Sequence, residues 1–217
     1  MEYINKRINE PRKLVKFRRK YKLDEKIKFK KEIDFNHLDQ TTAQCLRNIL
    51  LEDQGYICCY CQKKIPEKKL PGSKIEHFLC QENNKDKVFD FRNLFIACNG
   101  QFGQIETCDT IKKSKKLKAI DLLNSDMFRE IKYTKKGKIY SIINLIDEDI
   151  EMLNLNDQNM MKSREAISDS IRFIKKKILS KGGDFNKQIA KRVLEWESKD
   201  ENGMFREYKG AGLYYFR

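Results

Sequence analysis

The run Cys58-Cys59-Tyr60-Cys61 constrains this chain more than any other feature. A Cys-x2-Cys turn brings two sulfurs to one side of a tight bend, where a single metal can take both. Cys98 and Cys108 offer a second pair further on, more widely spaced, with residues 99–107 between them. Four thiolates suit the tetrahedral preference of zinc. A zinc closed by four protein ligands is structural, because no coordination position stays open for water. Cys45, Cys59 and Cys80 are left over and read as core or surface residues. Pairing Cys59 with Cys61 instead would make the turn too short.

The rest of the chain indicates where such thiols stay reduced. No apolar run approaches the roughly 20 residues that span a bilayer. The longest, Ile139 to Ile146, is interrupted by Ser141 and Asn144, and Lys6 and Arg7 are not followed by the apolar stretch of a signal peptide. The expectation is a cytoplasmic protein without membrane partners, whose cysteines serve a metal rather than disulfides. Its 217 residues, 40% of them hydrophobic, suit one or two compact domains. Lys and Arg number 46 against 32 Asp and Glu, a net charge of +14. Such a surplus suits a polyanionic partner, and it serves equally as a solubilising surface, so charge alone does not choose.

Periodicity and turn residues predict the elements around the cysteines. Leu14, Phe17 and Tyr21 mark a short basic helix after Pro11, and a second helix runs from Asn36 to Gln54 with Leu38, Cys45, Ile49 and Leu50 inward and Gly55 as its stop. Two strands, Lys74 to Phe78 and Leu94 to Ala97, lie among turn signals at Pro66, Pro71-Gly72 and Asn99-Gly100. A lysine-rich helix beginning near Cys108 carries Lys112, Lys113, Lys115 and Lys116 on an outward basic face, placing Lys112 and Lys113 to meet phosphates. Alternation around Lys135-Lys136-Gly137 predicts a hairpin spanning Phe128 to Ile143. Two helices follow, Asp157 to Ser180 and Asp184 to Ser198. Trp196 reads as a packing residue, and the aromatic end from Tyr208 to Arg217 docks either a helix or a partner.

Between the cysteine pairs stands Lys74-Ile75-Glu76-His77-Phe78, with one of only two histidines beside a carboxylate. Strand neighbours point to opposite faces, so Glu76 and His77 share a site only where the strand ends or twists. Asn93 precedes the second strand and Asp109 follows the last cysteine. The order Cys-x2-Cys, Glu-His, Asn, Cys, Cys-Asp-x2-Lys resembles that of HNH endonucleases, a ββα-metal fold in which zinc knuckles brace a catalytic hairpin and helix. Within that superfamily the chain is most similar to the HNH subunit of Septu-type and retron-associated anti-phage systems. The likeness rests on Tyr3-Ile4 through Glu10-Pro11, Gly55-Tyr56-Ile57-Cys58, Lys74 through Phe78, Asn93-Leu94, Cys98-Asn99-Gly100 and Thr107-Cys108-Asp109, all within residues 1–120.

The resemblance implies an α+β fold: an N-terminal arm with helices over residues 1–54, a zinc-braced ββα-metal core over 55–120, and a C-terminal hairpin with helices over 121–217. It implies Cys58, Cys61, Cys98 and Cys108 on structural zinc. Glu76 and Asp109 would hold a catalytic Mg²⁺ or another divalent ion, with Asn99 as the alternative to Asp109. His77 would be the general base and Asn93 the residue bracing its loop. Many HNH sites have Asp where Glu76 stands, and His or Asn where Asp109 stands. The implied activity is metal-dependent hydrolysis of nucleic-acid phosphodiester bonds, with DNA favoured and RNA such as tRNA open. An ABC-type ATPase is the implied partner, and the chain has no Gly-x4-Gly-Lys-Ser/Thr loop of its own. A reading of a different class is a catalytically inactive zinc-braced module that binds nucleic acid or acts as a scaffold.

Overall fold

The computed structural model describes residues 1–23, 33–66, 72–102 and 104–217; of the turn signals, Pro71 lies outside the described residues. Helix α1, Arg12–Lys20, buries Leu14 and Phe17 beneath a basic face, the apolar stripe its spacing requires. The helix expected from Asn36 is broken in two, a 3-10 turn over Phe35–His37 and then α2, Gln40–Gln54. The break has a capping cause. Asp39 stays extended and accepts the Thr42 N–H at 2.9 Å, starting a new first turn. Leu46, Leu50 and Leu51 are the buried leucines of α2, while Cys45 and Ile49 are only partly covered. The helix stops at Gly55, whose φ of 58° is left-handed and whose missing Cβ would meet the Phe205 ring at 2.3 Å.

Strands β1, Ser73–His77, and β2, Leu94–Cys98, pair antiparallel, with Ser73 opposite Cys98 and His77 opposite Leu94. β2 is buried along its whole length, which is why its sequence is continuously apolar rather than alternating. Two-residue strands β3, Gln101–Phe102, and β4, Ile105–Glu106, form a second pair, and α3, Cys108–Lys112, follows at once. α3 is little more than one turn, shorter than the lysine-rich helix expected, because Lys113 leaves it at φ 52° and ψ −127°.

A third pair, β5 Ile131–Tyr133 and β6 Ile139–Ser141, closes through Gly137 at φ 75°. Helices α4, Asn144–Met152, α5, Gln158–Lys181, and α6, Phe185–Glu197, come next; Asp157 and Asp184 cap the last two. The aromatic end forms α7, Lys209–Phe216, which packs on α5, α6 and β5. Trp196 lies 6.1 Å from the Phe216 ring, so both aromatic features serve packing within the chain. One apolar core runs from Met1 through β2 to Ala211, shared by residues 1–54, 55–120 and 121–217. Among the described residues no helix is long and apolar enough to cross a membrane.

Candidate functional site

The four sulfurs of Cys58, Cys61, Cys98 and Cys108 lie within 4.8 Å of one another, all buried. Cys61 and Cys98 are 3.8 Å apart and Cys58 and Cys108 4.0 Å. Sulfurs at the corners of a tetrahedron with Zn–S bonds of about 2.3 Å stand about 3.8 Å apart, so the donor set fits zinc. The first two ligands come from a knuckle. Gln62 returns its N–H to the Cys58 carbonyl, the Lys63 N–H reaches the Cys61 sulfur at 3.5 Å, and Ile57 bridges to Lys64. The wide gap between Cys98 and Cys108 is taken up by the β3–β4 pair. Thr107 donates its N–H to the Gly100 carbonyl at 2.7 Å, drawing the chain back so that Cys108 returns to Cys98. A Cβ on Gly100 would lie 2.3 Å from the Thr107 carbonyl oxygen, so the close approach needs glycine. Cys108 itself adopts φ 54° and donates its N–H to the Leu153 carbonyl at 2.9 Å. Burial pushes the Cys58 thiol up, but hydrogen bonds from the other sulfurs outweigh it and hold Cys58 well below its ordinary range. Cys59, also buried, is pushed up by burial; neither it nor Cys45 and Cys80 belongs to the cluster.

At the junction of β1 and α3 the structure brings Glu76, Asp109 and Lys112 together. Glu76 is 3% exposed; its Oε1 accepts from the Tyr60 hydroxyl at 2.7 Å and from the Lys112 ammonium at 2.8 Å. Its carboxyl meets that of Asp109, and Lys74 pairs with Asp109 at 2.5 Å. Burial, with a hydrogen bond to Asp109, raises Glu76 to about 8 against the opposing pull of Lys112. Burial also works against the Asp109 carboxylate, yet hydrogen bonds to Glu76 and Lys74 hold it below its ordinary value. Lys112 does not face outward: it is fully buried and its ammonium belongs to Glu76, which corrects the expectation that it meets a phosphate. Lys113 is exposed, and so is Asn99. The Asn99 side-chain oxygen takes the Gln101 N–H rather than approaching Glu76.

His77 points the other way from β1. Its Nε2 meets the Val88 carbonyl at 3.0 Å and its ring stands edge-on to Phe35 at 4.7 Å. A carbonyl only accepts, so Nε2 carries the hydrogen and Nδ1 keeps a lone pair. Burial lowers the His77 pKa, partly offset by the Val88 carbonyl. Its ring nitrogens are not hydrogen-bonded to Glu76 or Asp109. Asn93 clamps the loop between the strands: its amide donates to the Leu79 and Lys87 carbonyls at 3.0 Å and accepts the Leu79 N–H at 2.7 Å. Val88 lies on that same loop, so Asn93 supports the carbonyl that orients His77. Sequence reasoning missed Tyr60 and Lys74 as partners of the carboxyls. Their signals were proximity to the knuckle and to Glu76, and Lys112 follows Asp109 at the i, i+3 spacing that shares a helix face.

A divalent ion at Glu76 and Asp109 does not fit this arrangement, because each carboxyl already carries a lysine ammonium. No family model matches the chain, and no curated protein matches it either.

Proposed function

We propose that the chain is a zinc-braced nuclease of the HNH type that hydrolyses phosphodiester bonds in nucleic acid, DNA before RNA. One observation carries the reading. β1, β2 and α3 meet at a junction held by four thiols, with Asp109 against Glu76 and a buried His77 at the strand end whose pKa burial lowers. In this reading Nδ1 of His77 takes a proton from the attacking water, while the Val88 carbonyl fixes the tautomer and Asn93 fixes the loop. Lys13, Lys16 and Lys20 on α1 share a cavity of about 380 Å³ with His37. Phe17 of α1 lies tilted against Phe89, the neighbour of Val88, with ring centroids 5.1 Å apart, so α1 packs beside the loop that orients His77, and its basic face suits a phosphate backbone. An ABC-type ATPase is the partner that the family likeness proposes.

A second reading, a zinc-braced binding or scaffold module, is favoured by the buried Lys112 that fills the carboxylate centre. Cleavage of a DNA and RNA panel with Mg²⁺, by wild type and His77→Ala, alone and with the ATPase, separates the two. Cleavage lost in the variant while nucleic-acid binding persists supports the nuclease. Equal inactivity of both zinc-loaded proteins, with the partner supplied, supports the module.

A further inference from the structure

The carboxylate centre already holds two cations of its own. Lys112 is fully buried, its ammonium 2.8 Å from Glu76 Oε1 and 3.4 Å from the His77 carbonyl. The Tyr60 hydroxyl donates to the same Glu76 oxygen. Lys74 lies 2.5 Å from Asp109 and donates to the Thr110 hydroxyl at 3.1 Å. Mg²⁺ takes oxygen ligands in a near-octahedral shell at about 2.0–2.1 Å and keeps several of its waters. Glu76 has almost no solvent face for those waters, and one of its oxygens is committed to two donors.

From this geometry we propose that Lys112 is the resident cation of the centre: it holds Glu76 in place of a divalent ion, and metal enters at Glu76 and Asp109 only when Lys112 leaves. The inference rests on the nuclease reading of these residues and adds its regulation. The resting chain assembles its hairpin and helix with an internal counter-ion, and the metal-loaded state is withheld.

The backbone around Lys112 is built for such a departure. α3 has only five residues, with a non-glycine residue at positive φ at each end. Cys108, at φ 54°, is fixed by the sulfur cluster and by the Leu153 carbonyl. Lys113, at φ 52° and ψ −127°, is tied by its N–H to the Asp109 carbonyl at 2.9 Å and is otherwise exposed. Strained backbone of this kind persists only where the surroundings hold it, and it marks segments that switch. Relaxation at Lys113 shifts the end of α3 that carries Lys112 and leaves Cys108 anchored. Once the Lys112 ammonium is gone, the remaining cation is Lys74, which reaches Asp109 from a partly exposed side chain and can turn to solvent, leaving Glu76 and Asp109 as two adjoining carboxyls on separate elements, a donor type that hard divalent cations favour.

The test is a Mn²⁺ titration of zinc-loaded protein without nucleic acid, read by the electron paramagnetic resonance of free Mn²⁺. Wild type is expected to bind Mn²⁺ no more tightly than Asp109→Asn. Lys112→Met is expected to gain one site at least tenfold tighter than anything in wild type, lost again when Asp109→Asn is added. A wild type that already binds one Mn²⁺ through Asp109 overturns the proposal, as does a Lys112→Met protein that keeps its zinc and helix content yet gains no site. Should Lys112→Met fail to fold, Lys112→Gln retains a donor to Glu76 without the charge and enters the same comparison, and the wild-type arm stands regardless. Failure of the nuclease reading shows elsewhere, as absence of His77-dependent cleavage, so the two results are separable.

Discussion

Gln54 pairs with Ile96 as a neighbouring strand would: its side-chain oxygen accepts the Ile96 N–H at 2.7 Å and its Nε2 donates to the Ile96 carbonyl at 2.8 Å. The amide is 3% exposed and also donates to Ile57 at 2.9 Å, so one side chain joins α2, the knuckle and the middle of β2. Gln54→Leu leaves the Ile96 N–H buried without an acceptor and is expected to lose about 3 kcal/mol of stability. Urea unfolding of the zinc-loaded proteins checks it; a loss below about 1 kcal/mol would show that water or backbone replaces the amide.

Zinc removal should act through the four clustered thiols alone. Cys61→Ser and Cys98→Ser are expected to lose bound zinc and to melt far below wild type, because metal binding and folding are one equilibrium at such sites. Cys45→Ser and Cys80→Ser should keep both zinc and stability. Metal analysis after gel filtration decides, and a zinc-replete Cys98→Ser protein would remove that ligand.

Lys6 gives the fold a pH dependence. Its ammonium donates to the Phe91 and Leu94 carbonyls and lies over the Phe91 and Phe95 rings, and burial lowers its pKa from 10.5 to about 7. Below about 7 the group is charged in both folded and unfolded chains, and the full penalty of burying it is present. Between about 7 and 10.5 the unfolded chain binds more protons than the folded one, so this contribution to stability rises with pH. The slope attributable to Lys6 is at most about 1.4 kcal/mol per pH unit. Denaturant midpoints at pH 7, 8 and 9 should therefore climb in wild type and climb less in Lys6→Met; parallel curves would rule Lys6 out as the cause.

Gly212 lets α7 lie flat against α6. A Cβ there would come within 2.0 Å of the Trp196 ring. Gly212→Ala should push the indole aside, red-shift the emission of this single tryptophan, and destabilise the chain by about 1–3 kcal/mol. Unchanged fluorescence would mean that α7 can shift as a body.

The basic face of α1 should appear in the salt dependence of nucleic-acid binding. Replacing Lys13, Lys16 and Lys20 with Gln is expected to reduce the slope of log affinity against log salt by about 0.9 for each phosphate that is no longer neutralised. Replacing Lys175, Lys176 and Lys177 on α5 should change it less. Fluorescence anisotropy with a duplex at several salt concentrations measures both. Equal effects would point to a diffuse positive surface.

Local chemistry was legible where one residue dictates its own backbone. Gly55 ends α2, Gly137 turns the third hairpin, Asp157 and Asp184 start α5 and α6, and the cysteine spacing marks the four clustered sulfurs. What escaped was set by distant partners. α4 has no side-chain cap at Ile143 and begins directly after the predicted hairpin strand, with no start signal of its own. α7 contains Gly210 and Gly212 and owes its helix to packing on α5 and α6. Charge was the least legible. Lys112 and Arg164 look like surface residues in sequence. In the fold Arg164 is 2% exposed, donating to the Gly137 and Leu155 carbonyls. Asp149, fully buried, accepts the N–H groups of Lys118, Ala119 and Ile120. No spacing rule announces a buried charge whose partner lies some thirty or more positions away, as Glu76 does from Lys112.

The Cys108 N–H held by Leu153 ties the inheritance of the metal cluster to the far half of the chain. Asn154 reinforces the tie by donating to the Glu106 carbonyl at 3.0 Å. A recombination joint placed after residue 120 would transfer all four thiols and leave behind the carbonyl that orients the last of them. Chimeras between relatives should therefore tolerate crossovers poorly between Cys108 and Leu155, and substitutions around Leu153 should co-vary with those beside Cys108 although neither touches the metal.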